Sequence, residues 1–224
     1  MSRHAEPALE RGPVAPELQS EFPELRVLSC EVPAPPRGHG RDRTSGTRER
    51  LALLAARMRG ARAVELRREP VPAAYRVFFR HIGIDPDLTR TPIEQAAVTR
   101  LVHGGHRSRG AVPDALLLAL LDTGVPVSAF DAAALEGVPG LRPARAGESL
   151  PSRAGPVPLP PGRLVLADSR RALAPLFGEP VEDFEPGGGT VRLRLVAVKI
   201  PGVPSIHVEE ALWTAEATLA AAAP

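Results

Sequence analysis

Cysteine is almost missing from this 224-residue chain. Cys30 stands alone, so no disulfide can close within the chain and no cysteine-based zinc cluster can form. Lysine is equally scarce. Lys199 is the single example and falls in an apolar stretch, which excludes a phosphate loop of the G-x-x-x-x-G-K type. Neither a G-x-S-x-G elbow nor an H-E-x-x-H pair is present, so elbow-type serine hydrolysis and helix-borne zinc hydrolysis lose their usual signatures. Aromatic side chains are limited to six Phe, one Tyr and one Trp. Splayed bases need exposed aromatic platforms, so any RNA contact is expected at backbone and shape. Long apolar runs are absent too: the longest, Ala115 to Leu121, has seven residues, against roughly 20 for a bilayer span. The first 30 residues have no apolar signal core. The expectation is a soluble cytoplasmic protein with no membrane partner, metal or cofactor.

What the chain does have is proline and glycine, 26 and 20 residues, which favour short elements joined by many turns. Apolar residues make up 43%, enough for a real core. Charge is uneven behind a formal net of +2. Residues 1–36 carry a net −3, residues 37–109 a net +9 and residues 110–224 a net −4. The basic middle also holds His39, His81, His103 and His106. Such a block suits a polyanion, RNA above all and not DNA, although arginines on solvated helix faces would read the same way.

Residues 1–23, punctuated by four prolines, predict a flexible N-terminal arm ahead of a single domain over 24–224. Leu25 to Val32 predicts a strand, and Pro33 to Gly46 a proline- and glycine-rich loop. Apolar residues at 3–4 spacing predict helices over 47–59 and 71–82, the second with Tyr75, Phe78, Phe79 and Ile82 as its inner stripe. Thr91, Pro92 and Glu94 form a capping-box signature for a helix ending at Gly104–Gly105. Residues 112–122 are apolar on every face and predict a buried helix. Strands are expected over 125–130, 141–145, 163–167 and 190–200, and a last helix over 207–222. Gly187–Gly189 reads as a hairpin turn. Helices first and strands later argue for an α+β fold, a central mostly antiparallel or mixed sheet flanked by helices.

Several side chains could carry chemistry. His207 and Glu210 share a helix face, as a carboxylate-oriented imidazole or as a surface ion pair. Arg76 and Arg80, with His81 beside them, could grip phosphate, and Arg100 and Arg107 extend the basic set. Asp114 is a pocket candidate whose place at a helix start also suits the dipole. Asp131 and Asp168 end predicted strands, where turn formation is the commoner role. His103 and His106 straddle a helix end.

The stretch YRVFFRHIGIDPDLTRTPIEQAAVTRLVHGG, followed by VPDALLLALLDTGVPVSAFD, resembles the B3/B4 domain of the bacterial phenylalanyl-tRNA synthetase β subunit and, more closely, free-standing B3/B4 proteins. Tyr75, Arg76, Gly83, Asp85, Pro86, Thr91, Glu94, Arg100, Asp114, Pro126, Phe130 and Asp131 take the places of that pattern, and the later LPPGRLVLAD resembles its next strand. An asparagine common in the synthetase pattern is replaced here by Leu117, which makes a greasier pocket. The resemblance implies a sheet with flanking helices and tRNA or aminoacyl-tRNA as partner. It also implies an editing-type deacylase acting on mischarged tRNA, with His207, Glu210, Asp114 and His81 in the pocket and Arg76, Arg80, Arg100 and Arg107 on the RNA. A complete synthetase is not expected in this length. A non-catalytic tRNA- or protein-binding module and an amino-acid-binding protein remain the alternatives.

Overall fold

The computed structural model describes residues 8–35, 45–57, 65–152, 155–181 and 183–222. Most of the loop expected over 33–46 lies outside them. Strand β1 (Glu10–Gly12) and helix α1 (Pro16–Glu21) occupy the segment read as a loose arm. Its apolar residues explain this: Leu18 and Phe22 are buried in the core, and Leu9, Val14 and Ala15 pack against it.

β2 (Arg26–Pro33) and β9 (Arg192–Lys199) pair antiparallel from Arg26↔Lys199 to Pro33↔Arg192. β3 (Val127–Asp131) lies on the other side of β9, giving a four-stranded antiparallel sheet in the order β1-β2-β9-β3. A second sheet, β4-β7-β8, is built from Gly140–Pro143, Leu164–Ala167 and Ala172–Pro175, and β5 (Ser149–Leu150) pairs with β6 (Val157–Pro158). The two larger sheets meet where Leu141 exchanges backbone hydrogen bonds with Pro13 and Ala15, each 2.9 Å. Gly12 permits that approach, since a Cβ there would lie 1.9 Å from the Pro139 carbonyl oxygen. Gly187–Gly189 forms a turn before β9, closed by the Thr190 N–H onto the Gly187 carbonyl at 3.1 Å, and the preceding strand β8 pairs with β7, so the turn does not join a hairpin.

Helices α2 (Ser45–Arg57), α3 (Pro70–His81), α4 (Pro92–His103), α5 (Ala111–Thr123) and α6 (Ser205–Ala221) complete the α+β arrangement. α6 packs on α5 and over β2 and β9. In α3, Tyr75, Phe78 and Phe79 point into the main core as their spacing requires. A satellite cluster of Leu51, Leu66, Ile93, Ala97, Leu118 and Leu121 joins α2, α4 and α5.

α5 divides its apolar surface three ways. Ala115 and Ala119 enter the main core, and Leu118 and Leu121 enter the satellite cluster. Leu116, Leu117 and Leu120 stay half-buried and line an open cleft. Full burial of this helix, expected from its composition, is therefore corrected on that third face. Gly124 ends the helix at φ 77°, a left-handed position that favours glycine. Among the described residues, no helix is long and apolar enough to cross a membrane.

Candidate functional site

The cleft has a volume of about 650 Å³. Its floor is mostly apolar: Val196 and Val198 on β9 and Leu166 on β7, with Ser128 of the edge strand β3 beside them between Val127 and Ala129. α5 supplies one wall with Leu116, Leu117 and Leu120, and the loop Leu176–Pro180 closes one end. The mouth is polar. Thr99, His103, His106, Arg107 and Arg109 stand around it together with the carboxylates Asp114, Glu179 and Glu185. A hollow with an apolar body and a polar mouth binds a ligand that has an apolar part and a charged or polar end.

The mouth has a fixed shape. Asp114, 2% exposed, accepts hydrogen bonds from the Ser108 hydroxyl and, at 2.8 Å, from the Arg109 backbone N–H. Both carboxylate oxygens are thereby engaged, and the loop between α4 and α5 is tied to the first turn of α5. That loop carries His106 and Arg107. Burial, helped by the nearby Arg100 charge, pushes the His106 imidazole below its ordinary pKa, so the ring is neutral near pH 7.

Phe177 sits at the closed end with φ 62°, a strained backbone for a bulky residue. Its ring stacks on Phe79 at 5.6 Å and 15°, and meets Tyr75 edge-on at 5.4 Å. The aromatic stripe of α3 thus reaches the cleft through one intermediary side chain.

Of the eight residues expected to act, the structure brings Asp114 and Arg107 to the cleft. Arg100 lines a neighbouring hollow, with its Nε donating to the Ala55 carbonyl at 2.9 Å. Arg76 turns inward. Its Nη1 lies 2.8 Å from Glu94 Oε1 and its Nη2 2.5 Å from Asp87 Oδ1, and Asp87 above all holds its guanidinium pKa above the ordinary value. Arg80 is exposed, 3.8 Å from Asp87. His81 lies against the Phe22 ring at 6.3 Å, outside the cleft lining. His207 Nδ1 and Glu210 Oε2 are 3.6 Å apart near the start of α6, also outside the lining.

The turn readings of the other carboxylates match their contacts. Asp131 accepts from the Ala133 N–H at 3.0 Å and the Thr190 hydroxyl at 2.7 Å. Asp168 accepts from the backbone N–H groups of Glu136, Arg170 and Arg171. Glu94 accepts from the Thr91 N–H at 3.1 Å as a capping residue. It also receives Arg67 Nε at 2.9 Å.

Sequence reasoning left out Arg109, Ser128 and Phe177 as site residues. The HRSRG loop entering α5 carried a usable signal for Arg109, whereas Ser128 and Phe177 join the cleft only through tertiary packing.

Residues 74–179 match the family model of the B3/4 domain. No curated protein matches the chain.

Proposed function

Because the chain carries a B3/4 domain, a type related to those of tRNA synthetases, we propose that its cleft receives the aminoacyl end of a mischarged tRNA and promotes hydrolysis of the ester. The observation that carries this reading is one hollow, within the matched segment for the most part, that offers a largely apolar floor under a polar mouth carrying Arg107 and Arg109 beside Asp114, Glu179 and Glu185. The floor suits an apolar amino-acid side chain. Arg107 and Arg109 at the mouth suit the terminal phosphates. Water attacks the ester carbonyl, a tetrahedral oxyanion forms, and the ribose oxygen leaves with a proton.

In the first turn of α5 Pro113 has no N–H and the Asp114 N–H donates to the Gly110 carbonyl at 3.0 Å, which leaves the N–H groups of Ala111 and of Val112, the latter in the cleft lining. They are candidate donors to the oxyanion. The vicinal ribose hydroxyl of the substrate can assist the water, so a strong protein base is not required. Asp114 shapes the mouth in this scheme and does not take the proton, since both of its oxygens are engaged.

Binding of a free apolar amino acid is the second reading. It is favoured by the three leucines of α5 on the cleft wall and by the distance of His207 and Glu210 from the lining. A deacylation assay over a panel of mischarged tRNAs tests the first reading. Turnover above buffer for apolar amino acids supports it. Absence of turnover across the panel, with a thermal shift from free amino acids, transfers the cleft to the second reading.

A further inference from the structure

Behind the loop that carries His106 and Arg107, a second hollow of about 460 Å³ opens between α2 and the C-terminal end of α4. Arg48, Arg100, Arg107 and His106 line it with Leu51, Ala52 and Ala55, and among the described residues no carboxylate belongs to its lining. Neither Arg48 nor Arg107 has an ion pair among the described residues. Arg48 stands in the first turn of α2, the positive end of the helix, and that turn holds no acidic residue. Three guanidinium groups around one cavity repel one another unless an anion joins them. The His106 ring lines the hollow, and its Nε2 is buried with no hydrogen-bond partner. A buried polar atom left unpaired is costly and calls for an explanation.

We propose that this hollow is a phosphate-binding pocket, in which Arg48, Arg100 and Arg107 neutralise the anion beside the His106 ring. The bond from Arg100 Nε to the Ala55 carbonyl fixes the plane of that guanidinium and leaves its terminal nitrogens for the ligand. Arg48 comes from α2, which precedes the matched segment 74–179, so the pocket is shared between the B3/4 domain and the chain before it. Seven residues separate Arg48 from Ala55, about 10 Å along a helix. The positive charge therefore extends beyond one phosphate, and a ligand with several phosphates engages it best. The pocket shares His106 and Arg107 with the mouth of the cleft, whereas Arg48 and Arg100 line this hollow alone.

Imidazole NMR on the full chain tests it, with inorganic phosphate, a nucleoside triphosphate and a 5′-phosphorylated RNA trinucleotide as probes. The expected result is a His106 shift with each probe, an apparent His106 pKa raised by about one pH unit at saturation, and at least tenfold weaker binding in Arg48→Gln. A tighter trinucleotide identifies a phosphodiester source, and a tighter triphosphate a small-molecule source. Both arms support the pocket. Should Arg48→Gln lose its fold, Arg100→Gln provides a second variant outside the cleft lining, with Arg107→Gln as a third that alters both hollows. A His106 signal unmoved by all three probes, or native affinity in the folded variants, overturns the proposal. Because Arg48 is outside the cleft lining, Arg48→Gln keeps the thermal shift with free amino acids. Loss of phosphate binding and loss of cleft binding are thus read separately.

Discussion

Arg76 and Glu94 form an ion pair inside the molecule, 2.8 Å apart, with side chains 11% and 4% exposed. The pair joins α3 to the first turn of α4 and shares Arg76 with Asp87. Its position makes Arg76 a structural residue. Arg76→Met leaves Glu94 with Arg67 alone, and losing one member of a buried pair costs about 3 kcal/mol. Urea unfolding should show this as a lower midpoint, with Arg76→Met/Glu94→Leu recovering part of the loss. Arg80→Gln, at an exposed site, should unfold within about 0.5 kcal/mol of the native protein.

Arg142 and Glu148 predict a pH signature. Two Arg142 nitrogens reach the two Glu148 oxygens at 2.7 and 2.6 Å, and this contact holds the carboxyl at about 2, against an ordinary 4.5. The folded value lies below the unfolded one. The stabilisation is therefore complete above about pH 4.5 and disappears as pH falls towards 2. Glu148→Gln should cost about 1–2 kcal/mol at pH 7 and nothing measurable near pH 2. Unfolding midpoints of both proteins across that range check the convergence.

The local elements were legible because each has a local cause. The stripe Tyr75, Phe78, Phe79 fixes the inner face of α3, and Thr91 with Glu94 fixes the start of α4. Arg76 shows where pattern reading stops: an arginine beside Arg80 on a helix looks solvated until a distant carboxylate is brought to it. The β2–β9 pairing joins residues 26–33 to 192–199, a partnership that no window of sequence contains. The same is true of the cleft. α5 reads as a buried helix because its leucines are apolar, and nothing local says that one face meets open space. His207 and Glu210 have the spacing of a dyad, but α6 places them outside the cleft lining.

Phe177 gives a prediction of unusual order. Elsewhere Ala is preferred to Gly by about 0.5–1 kcal/mol. At φ 62° the preference inverts. Phe177→Gly should therefore be no less stable than Phe177→Ala, while both lose the ring contacts with Tyr75 and Phe79, worth about 2–4 kcal/mol. Thermal melts of the two variants decide the order.

Ser128 lies half-exposed on the edge strand and faces the cleft. Ser128→Phe adds a ring that strands accommodate while occupying the binding volume. Affinity for the cleft ligand should fall at least tenfold, with a melting temperature within a few degrees of native. A binding titration beside a melt separates occlusion from unfolding.

Asp114 permits the sharpest distinction between shaping and proton transfer. Asp114→Asn keeps an oxygen for the Arg109 N–H, yet cannot act as a base at any accessible pH. If the carboxylate shapes the mouth, Asp114→Asn lowers kcat/KM by less than about tenfold and leaves the pH–rate profile where it was. Ser108→Ala, which removes the hydroxyl held by the same carboxylate, should then give a comparable loss, because both changes loosen one loop. A base would behave otherwise: Asp114→Asn would erase the acidic limb of the profile and reduce the rate by about 10²–10⁴, while Ser108→Ala would preserve that limb. Deacylation rates for the native chain and both variants between pH 5 and 9 separate the two outcomes.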